Sequence, residues 1–516
     1  MNVGKVLRDT AARLPRKRAV IFGNQSFTFS ELNLAADRVA NFLTEKGIGK
    51  GDRVGMIFPN IPEFVIVYFG VLRLGAIGVP LDPRLKGDEL APVLNDAAVK
   101  ALFVINDKFT EIRSDLERVE SLATVVVFGG KISENLTLEA VVKAEMPSDE
   151  IDTEVNEEDE ALYLYTSGTT GKPKGVVLTF RNLDYFPLTM NRMVGAGEND
   201  VIGFILPLSH ISGPVVSNLV ALNGSTMFLF EHLRPDRILE EVDRHGITYF
   251  FGVPPIFQSL LRVPHRERYH LKSLVYVSMM GTNVPIQLLK DFREAFPTVK
   301  TIQGYGLTEA SPYITLLPLE YADTKLGSIG LPVPDIQIKL LDANGTEAPN
   351  GAVGEIVVKG PMIMKSYHNN PEATREIIQN GWLYTNDLGR IDQDGFIYHL
   401  GRKDDMIITG GLNVFPAEIE NMLMKHPGIL EVGAVGVPDE ERGQIIKAVV
   451  VPKPGKSLDK KEVIGFCREH LADFKVPKVV EFSNSLPKTS TGKISRRELM
   501  CKSFFLLETP KTMCNI

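Results

Sequence analysis

The chain reads as α/β: a large amino-terminal region of layered α/β subdomains with a small β-barrel-like unit, followed by a small, mobile α+β carboxy-terminal domain. Three observations predict this. Strand and helix periodicities alternate to about residue 315, short strands between Gly, Asn, Asp and Pro turns fill about 325–399, and a compact α+β pattern follows residue 401. The expected boundary therefore divides 1–401 from 402–516. At 516 residues the chain exceeds what one core usually serves, so two or three units are expected.

The elements follow in order. Thr28 and Glu31 stand at capping-box spacing, and Leu32, Ala35, Val39, Phe42 and Leu43 recur at helical intervals, which predicts a helix with one buried face. Residues 52–58 read as a strand. Residues 61–81 are largely apolar but are broken by Pro62, Glu63 and Arg73, so a buried helix running into a strand fits better than a membrane span. Strand-like runs at 101–106, 123–128, 200–206, 226–230 and 247–253, with a helix at 237–245, imply largely parallel sheets. In the β unit, 336–341, 354–359 and 395–399 read as strands. Beyond Arg402, Gly410 and Gly411 make a turn between short strands. Pro416 then opens a helix carrying Ile419, Met422 and Leu423, and strands follow at 431–437 and 447–451.

Composition excludes several classes of function. Apolar residues at 44% and charged residues at 23% are ordinary for a folded, water-soluble protein. A net charge of -7 with interspersed signs offers no basic face for nucleic acid. Cys467, Cys501 and Cys514 form neither a zinc pattern nor a disulfide framework. The amino terminus lacks the apolar middle of a signal peptide, so a reducing, cytoplasmic setting is expected.

The chemistry-bearing motifs come next. Tyr165-Thr166-Ser167-Gly168-Thr169-Thr170-Gly171-Lys172-Pro173-Lys174-Gly175 combines glycines that let amides converge, hydroxyl donors and two lysines, the makings of a polyphosphate grip. Pro173 after Gly171-Lys172 breaks the Walker A pattern. As composition alone, such a segment would be a solvated loop. Its position after a strand-like run favours the grip. Further along stand Gln303-Gly304-Tyr305-Gly306-Leu307-Thr308-Glu309-Ala310, Gly381-Trp382-Leu383-Tyr384-Thr385-Asn386-Asp387, Gly401-Arg402-Lys403-Asp404-Asp405 and Pro487-Lys488-Thr489-Ser490-Thr491-Gly492-Lys493-Ile494. In the second motif an aromatic ring beside glycines can cover adenine, Thr308 can donate to a phosphate, and Glu309 is a hard oxygen ligand suited to Mg2+.

In this order the motifs resemble the adenylate-forming superfamily of acyl-CoA synthetases, luciferases and peptide-synthetase adenylation domains, over nearly the whole chain. The resemblance implies ATP, Mg2+ and coenzyme A as cofactor and cosubstrates, and a carboxylic acid as substrate. It assigns ATP or AMP contacts to Thr166, Ser167, Gly168, Thr169, Thr170, Lys174, Gly281, Thr282, Gly304, Tyr305, Gly306, Thr308, Asp387 and Arg402. It gives Mg2+ to Thr166 and Glu309, and the hinge to Asp404. His210, Phe251, Gly252, Gly281 and Gly306 would line the acyl pocket, and Gly410, Gly411 and Leu412 would meet coenzyme A. Lys493 would be the catalytic cation: adenylation brings two anions together, and a positioned ammonium lowers that barrier.

One departure stands out. Where many relatives have a small Gly-Ala-Pro type segment, this chain has Met279-Met280-Gly281-Thr282-Asn283-Val284-Pro285. The segment from Phe204 to Val216 contains no acid, which argues against an amino acid substrate. A medium-chain fatty, alicyclic or aryl acid is expected. Rival readings are formation of acyl-AMP alone, loading of a carrier protein, and a non-catalytic nucleotide-binding scaffold. The last would have lost Glu309 or Lys493. Oligomeric state is left open, a homodimer included.

Overall fold

A computed structural model of the protein describes residues 3–130, 136–143, 151, 153–166, 173–231, 233–488 and 493–504. Among these residues four sheets form the framework. The largest runs in the order Leu331–Pro332, Thr315–Leu316, Lys300–Tyr305, Tyr276–Met279, Tyr249–Gly252, Val201–Phe204, Thr226–Leu229, Arg18–Phe22, Gln25–Thr28. Lys300–Tyr305 through Arg18–Phe22 are parallel, and antiparallel strands flank them. The second sheet is parallel from Glu160–Thr166 to Leu136–Thr137 and closes on its other side with Lys174–Thr179 and Ser366–Tyr367, both antiparallel. The α/β alternation expected from sequence is therefore present.

The apolar run after Ile61 becomes the helix Pro62–Arg73 and the strand Ile77–Leu81. All of this helix except Glu63 is buried, because it packs against the helices Val3–Arg13, Phe29–Glu45 and Ser212–Asn223. Hydrophobicity all round the helix reflects this setting. Its one basic residue is satisfied internally. Arg73 pairs with Asp37 and donates to the Asn33 and Gly4 carbonyls at 3.0 and 3.3 Å. Among the described residues no helix is long and apolar enough to cross a membrane. The capping box at the start of Phe29–Glu45 forms as expected, with the Thr28 amide donating to Glu31 Oε2 at 2.8 Å and the Glu31 amide to Thr28 Oγ1 at 3.2 Å.

The β unit holds Gln337–Leu341, Val353–Lys359, Trp382–Ile391 and Ile378–Gln379, with Ile397–Arg402 paired to Trp382–Ile391. Its longest strand, Trp382–Ile391, is not apparent as a strand in the sequence, since Tyr384, Thr385, Asn386 and Asp387 lend it the texture of a polar loop. The last sheet orders Leu412–Val414, Ile407–Thr409, Gly443–Pro452 and Ile429–Asp439, with Val479–Phe482 parallel to Gly443–Pro452. Gly410 and Gly411, at φ +56° and +80°, make the two-residue turn that joins its first hairpin.

The β unit is fastened to the nine-stranded sheet at Gly330. The Ile397 amide donates to the Gly330 carbonyl at 3.0 Å and the Ile329 amide to the Ile397 carbonyl at 2.8 Å. Gly330 has φ +96°, and a Cβ there would stand 2.1 Å from the Leu316 carbonyl carbon. Gly330→Ala is expected to destabilise the protein by about 2 kcal/mol or more, combining left-handed strain with overpacking. Urea unfolding followed by fluorescence checks this. An unchanged midpoint would refute the seam.

Candidate active site

Parallel strands of an open sheet leave a crevice at their carboxyl ends, and here four neighbouring ends line it. Gly252 ends Tyr249–Gly252, Gly281 follows Tyr276–Met279, Tyr305 ends Lys300–Tyr305, and the loop bearing His210 follows Val201–Phe204. Strand order thus gathers residues far apart in sequence. The Met280 amide donates to the Gly252 carbonyl at 3.1 Å, and Met280 Sδ accepts from the Tyr313 hydroxyl at 2.8 Å. Gly306 admits no side chain, because a Cβ would meet the Pro312 carbonyl oxygen at 1.3 Å. Phe251 is 3% exposed and packs into the main core, and Gly252 is buried beside it, so Met280 is the partly open residue here.

Asp387 joins the β unit to this crevice. Its Oδ2 accepts from the Tyr305 hydroxyl at 2.6 Å, its Oδ1 faces His399 Nε2 at 3.3 Å, and Arg402 Nε lies 3.7 Å away. Burial opposes its charge, but His399, Arg402 and Tyr305 together outweigh burial and hold the carboxyl below the usual range. The His399 ring stacks on Tyr305 with centroids 5.5 Å apart. His399 was not singled out from sequence. The signal was the pairing of Trp382–Ile391 with Ile397–Arg402, which sets Gly389 opposite His399 and Asp387 opposite Arg402.

The strands that flank the glycine-rich motif, Glu160–Thr166 and Lys174–Thr179, pair as an antiparallel hairpin with Thr166 opposite Lys174. Ser167, Gly168, Thr169 and Thr170 lie outside the described residues. Lys174 Nζ sits 5.2 Å from the centre of the Tyr367 ring, and the Tyr367 hydroxyl donates to Glu309 Oε1 at 2.8 Å. Those contacts link Thr166 and Glu309, the two expected Mg2+ ligands, through the hairpin. Among the described residues no group of three or more His, Cys, Asp or Glu could cage a metal. One carboxylate beside this hairpin fits an ion held mainly by substrate phosphates and water, which is how Mg2+ is usually bound.

Lys493, in the carboxy-terminal part of the chain, lies near enough to this group of residues to interact with them electrostatically. Its ammonium lies in the field of Asp387, Arg402 and Glu309, and it is felt at His210. Although the residue is open to solvent, burial of the ammonium among protein groups lowers its pKa, Asp387 and Glu309 pull it back up, and Arg402 adds to the lowering. Three residues on, Arg496 holds the segment in place. It donates to Glu420 at 2.7 and 3.2 Å and to the Ala434 carbonyl at 2.6 Å, and its Nε lies 3.3 Å from Asp405. Asp404 lies in a short turn, where it accepts from Asn386 Nδ2 at 2.5 Å, and Lys403 pairs with Glu355 at 3.1 Å. Asn386 holds φ +59° to make that contact.

Two models of the AMP-binding enzyme match, the enzyme itself over residues 7–368 and its C-terminal domain over 418–493. The chain belongs to the AMP-binding enzyme family. The enzyme is 36% identical over 529 aligned positions to a long-chain-fatty-acid–CoA ligase of Bacillus subtilis (strain 168), covering 96% of this chain and 93% of that one. It is 34% identical over 486 positions to a feruloyl-CoA synthase of an Amycolatopsis species, covering 94% and 96%. Among solved structures, the anthranilate CoA ligase AuaEII in complex with anthranoyl-AMP superposes with a TM-score of 0.92 at 27% identity, over 99% of this chain and 98% of that one. The enzyme is accordingly an acid–thiol ligase of the AMP-forming acyl-CoA ligase type.

His210 Nδ1 accepts from the Ser212 amide at 3.3 Å, so a neutral ring carries its proton on Nε2. Burial, aided by the Lys493 charge, pushes its pKa down to about 4. In this arrangement the ring is therefore neutral near pH 7. His210→Gln is expected to alter KM for the acid while leaving the shape of the pH–rate profile unchanged between roughly pH 5.5 and 9. Loss of an acid limb in that window would contradict it.

Proposed function

We propose that the enzyme converts a carboxylate with an uncharged tail, a medium-chain fatty, alicyclic or aryl acid, to its coenzyme A thioester through an acyl-adenylate. The observation that carries this reading is the convergence of Lys493, Asp387, Glu309 and His210 on one crevice. In the first step a substrate carboxylate oxygen attacks the α-phosphorus of ATP. The bond to the bridging oxygen breaks and pyrophosphate leaves. Charge grows on the phosphoryl oxygens and the leaving group, where the Lys493 ammonium, aided by Lys174 at the loop base, opposes it at no cost in reorganisation. Asp387 offers a carboxylate to the ribose hydroxyls, already oriented by Tyr305 and His399. Thr166 and Glu309 would hold Mg2+, which would supply charge neutralisation.

In the second step the thiol gives up its proton to solvent, its sulfur bonds to the acyl carbon, the carbon–oxygen bond to AMP breaks, and AMP leaves. The crevice occupied by Lys493 has to admit the thiol, so residues 402–516 turn about Asp404 and bring Gly410, Gly411 and Leu412 forward. Asn386–Asp404 and Lys403–Glu355 are contacts at the turn that this motion would exchange. An uncharged tail is supported by the neutral His210, the buried Ile211 and the Met280–Tyr313 contact, and by relatives named for fatty and ferulic acids.

Lys493→Ala is expected to slow pyrophosphate release at least about a hundredfold, the effect of removing one transition-state donor, while thioester formation from pre-made acyl-AMP is spared. Equal losses in both steps would sink the assignment. A panel of fatty, alicyclic and aryl acids, assayed for AMP with and without coenzyme A, is expected to give thioester for an uncharged acid. AMP release with no thioester would point to a different acceptor.

A further inference from the structure

Tyr367 is part of no motif recognised in the sequence, yet it touches two separate parts of the site. It sits on the edge strand Ser366–Tyr367, paired with Lys174–Thr179 just beyond the base of the glycine-rich hairpin. Neighbouring backbone bonds pin it there, from the Lys365 amide to the Val177 carbonyl at 3.0 Å and from the His368 amide to the Gly175 carbonyl at 2.7 Å. Its own amide donates to Thr374 Oγ1 at 2.9 Å. The residue is 8% exposed, so its ring is packed among its neighbours. There the hydroxyl donates to Glu309 Oε1 at 2.8 Å, and the Lys174 ammonium rides 5.2 Å from the ring centre.

We propose that Tyr367 is a positioning residue that sets the Glu309 carboxylate and the Lys174 ammonium relative to each other for one metal–polyphosphate ligand. By engaging Oε1, the hydroxyl stops the carboxylate from rotating and presents Oε2 to an ion. An outer partner of this kind commonly governs how well a carboxylate binds metal. The ring face holds the ammonium by cation–π attraction at the hairpin base, where a phosphate would come within its reach. Because Tyr367 donates sideways to the carboxylate, its effect falls on binding and geometry in the adenylation step. The thioester step does not use it.

This rests on the reading of Glu309 as the metal contact, and two variants separate the claims. Tyr367→Phe keeps the ring and removes the hydroxyl. It is expected to raise the dissociation constant for Mn2+ with ATP, measured by electron paramagnetic resonance without acid, by about tenfold. The half-saturating Mg2+ for pyrophosphate release should rise in parallel, while thioester formation from pre-made acyl-AMP and the melting temperature stay unchanged. Tyr367→Leu is expected also to weaken metal-free ATP, because Lys174 loses its platform. Wild-type metal binding in Tyr367→Phe, with weakened binding in Glu309→Gln, would overturn the role of Tyr367. Unchanged metal binding in Glu309→Gln would overturn the reading of Glu309 itself.

Discussion

The site is organised around one buried carboxylate. Asp387 comes from the β unit, Tyr305 from the end of a parallel strand, His399 and Arg402 from a neighbouring strand, and the Lys493 ammonium from the carboxy-terminal part of the chain. A buried charge is costly unless it is paired and hydrogen-bonded. Here hydrogen bonds and nearby cations overcome burial, so Asp387 stays ionised and can in turn attract Lys493. If that carboxylate were neutral, Lys493 would face Arg402 with only Glu309 to balance it.

The same logic governs how the lysine is delivered. Lys493 lies three residues before Arg496, and Arg496 is tied to Glu420 on the helix Pro416–Leu423, to the Ala434 carbonyl and to Asp405 beside the proposed hinge. A long, flexible side chain thus rises from a segment anchored by a rigid guanidinium fork. Lysine suits a charge that must enter and leave a site, and arginine suits one that must stay put. Glu420 also accepts from the Ala434 amide at 2.9 Å, so that anchor is shared with the central sheet of the domain.

Much of this was legible in the sequence because it is local. The capping box at Thr28 and Glu31, the Gly410-Gly411 turn and the buried run after Ile61 are each set by neighbours a few residues apart. Motifs such as residues 303–310 are likewise contiguous, since a strand end and the loop after it can carry several contacts to one ligand. Trp382–Ile391 was harder to see because its polar residues are satisfied by distant partners, Thr385 by the Ile356 carbonyl, Asn386 by Asp404 and Asp387 by Tyr305. His399 and Tyr367 were missed because their partners, Asp387 on another strand and Glu309 in the short helical turn Thr308–Ala310, lie 12 and 58 positions away.

Sequence by itself determined the α/β class and the family, through contiguous motifs that lie in short stretches with a local physical cause, and it named the candidate site residues. Tertiary structure alone decided which of these groups meet. Strand order brings His210, Gly252, Gly281 and Tyr305 side by side, pairing in the β unit sets His399 against Asp387, and the packing of Arg496 holds the segment whose Lys493 interacts electrostatically with Asp387 and Glu309. The reason is that charge interactions fall with distance and depend on burial, and both quantities exist only once the chain has folded.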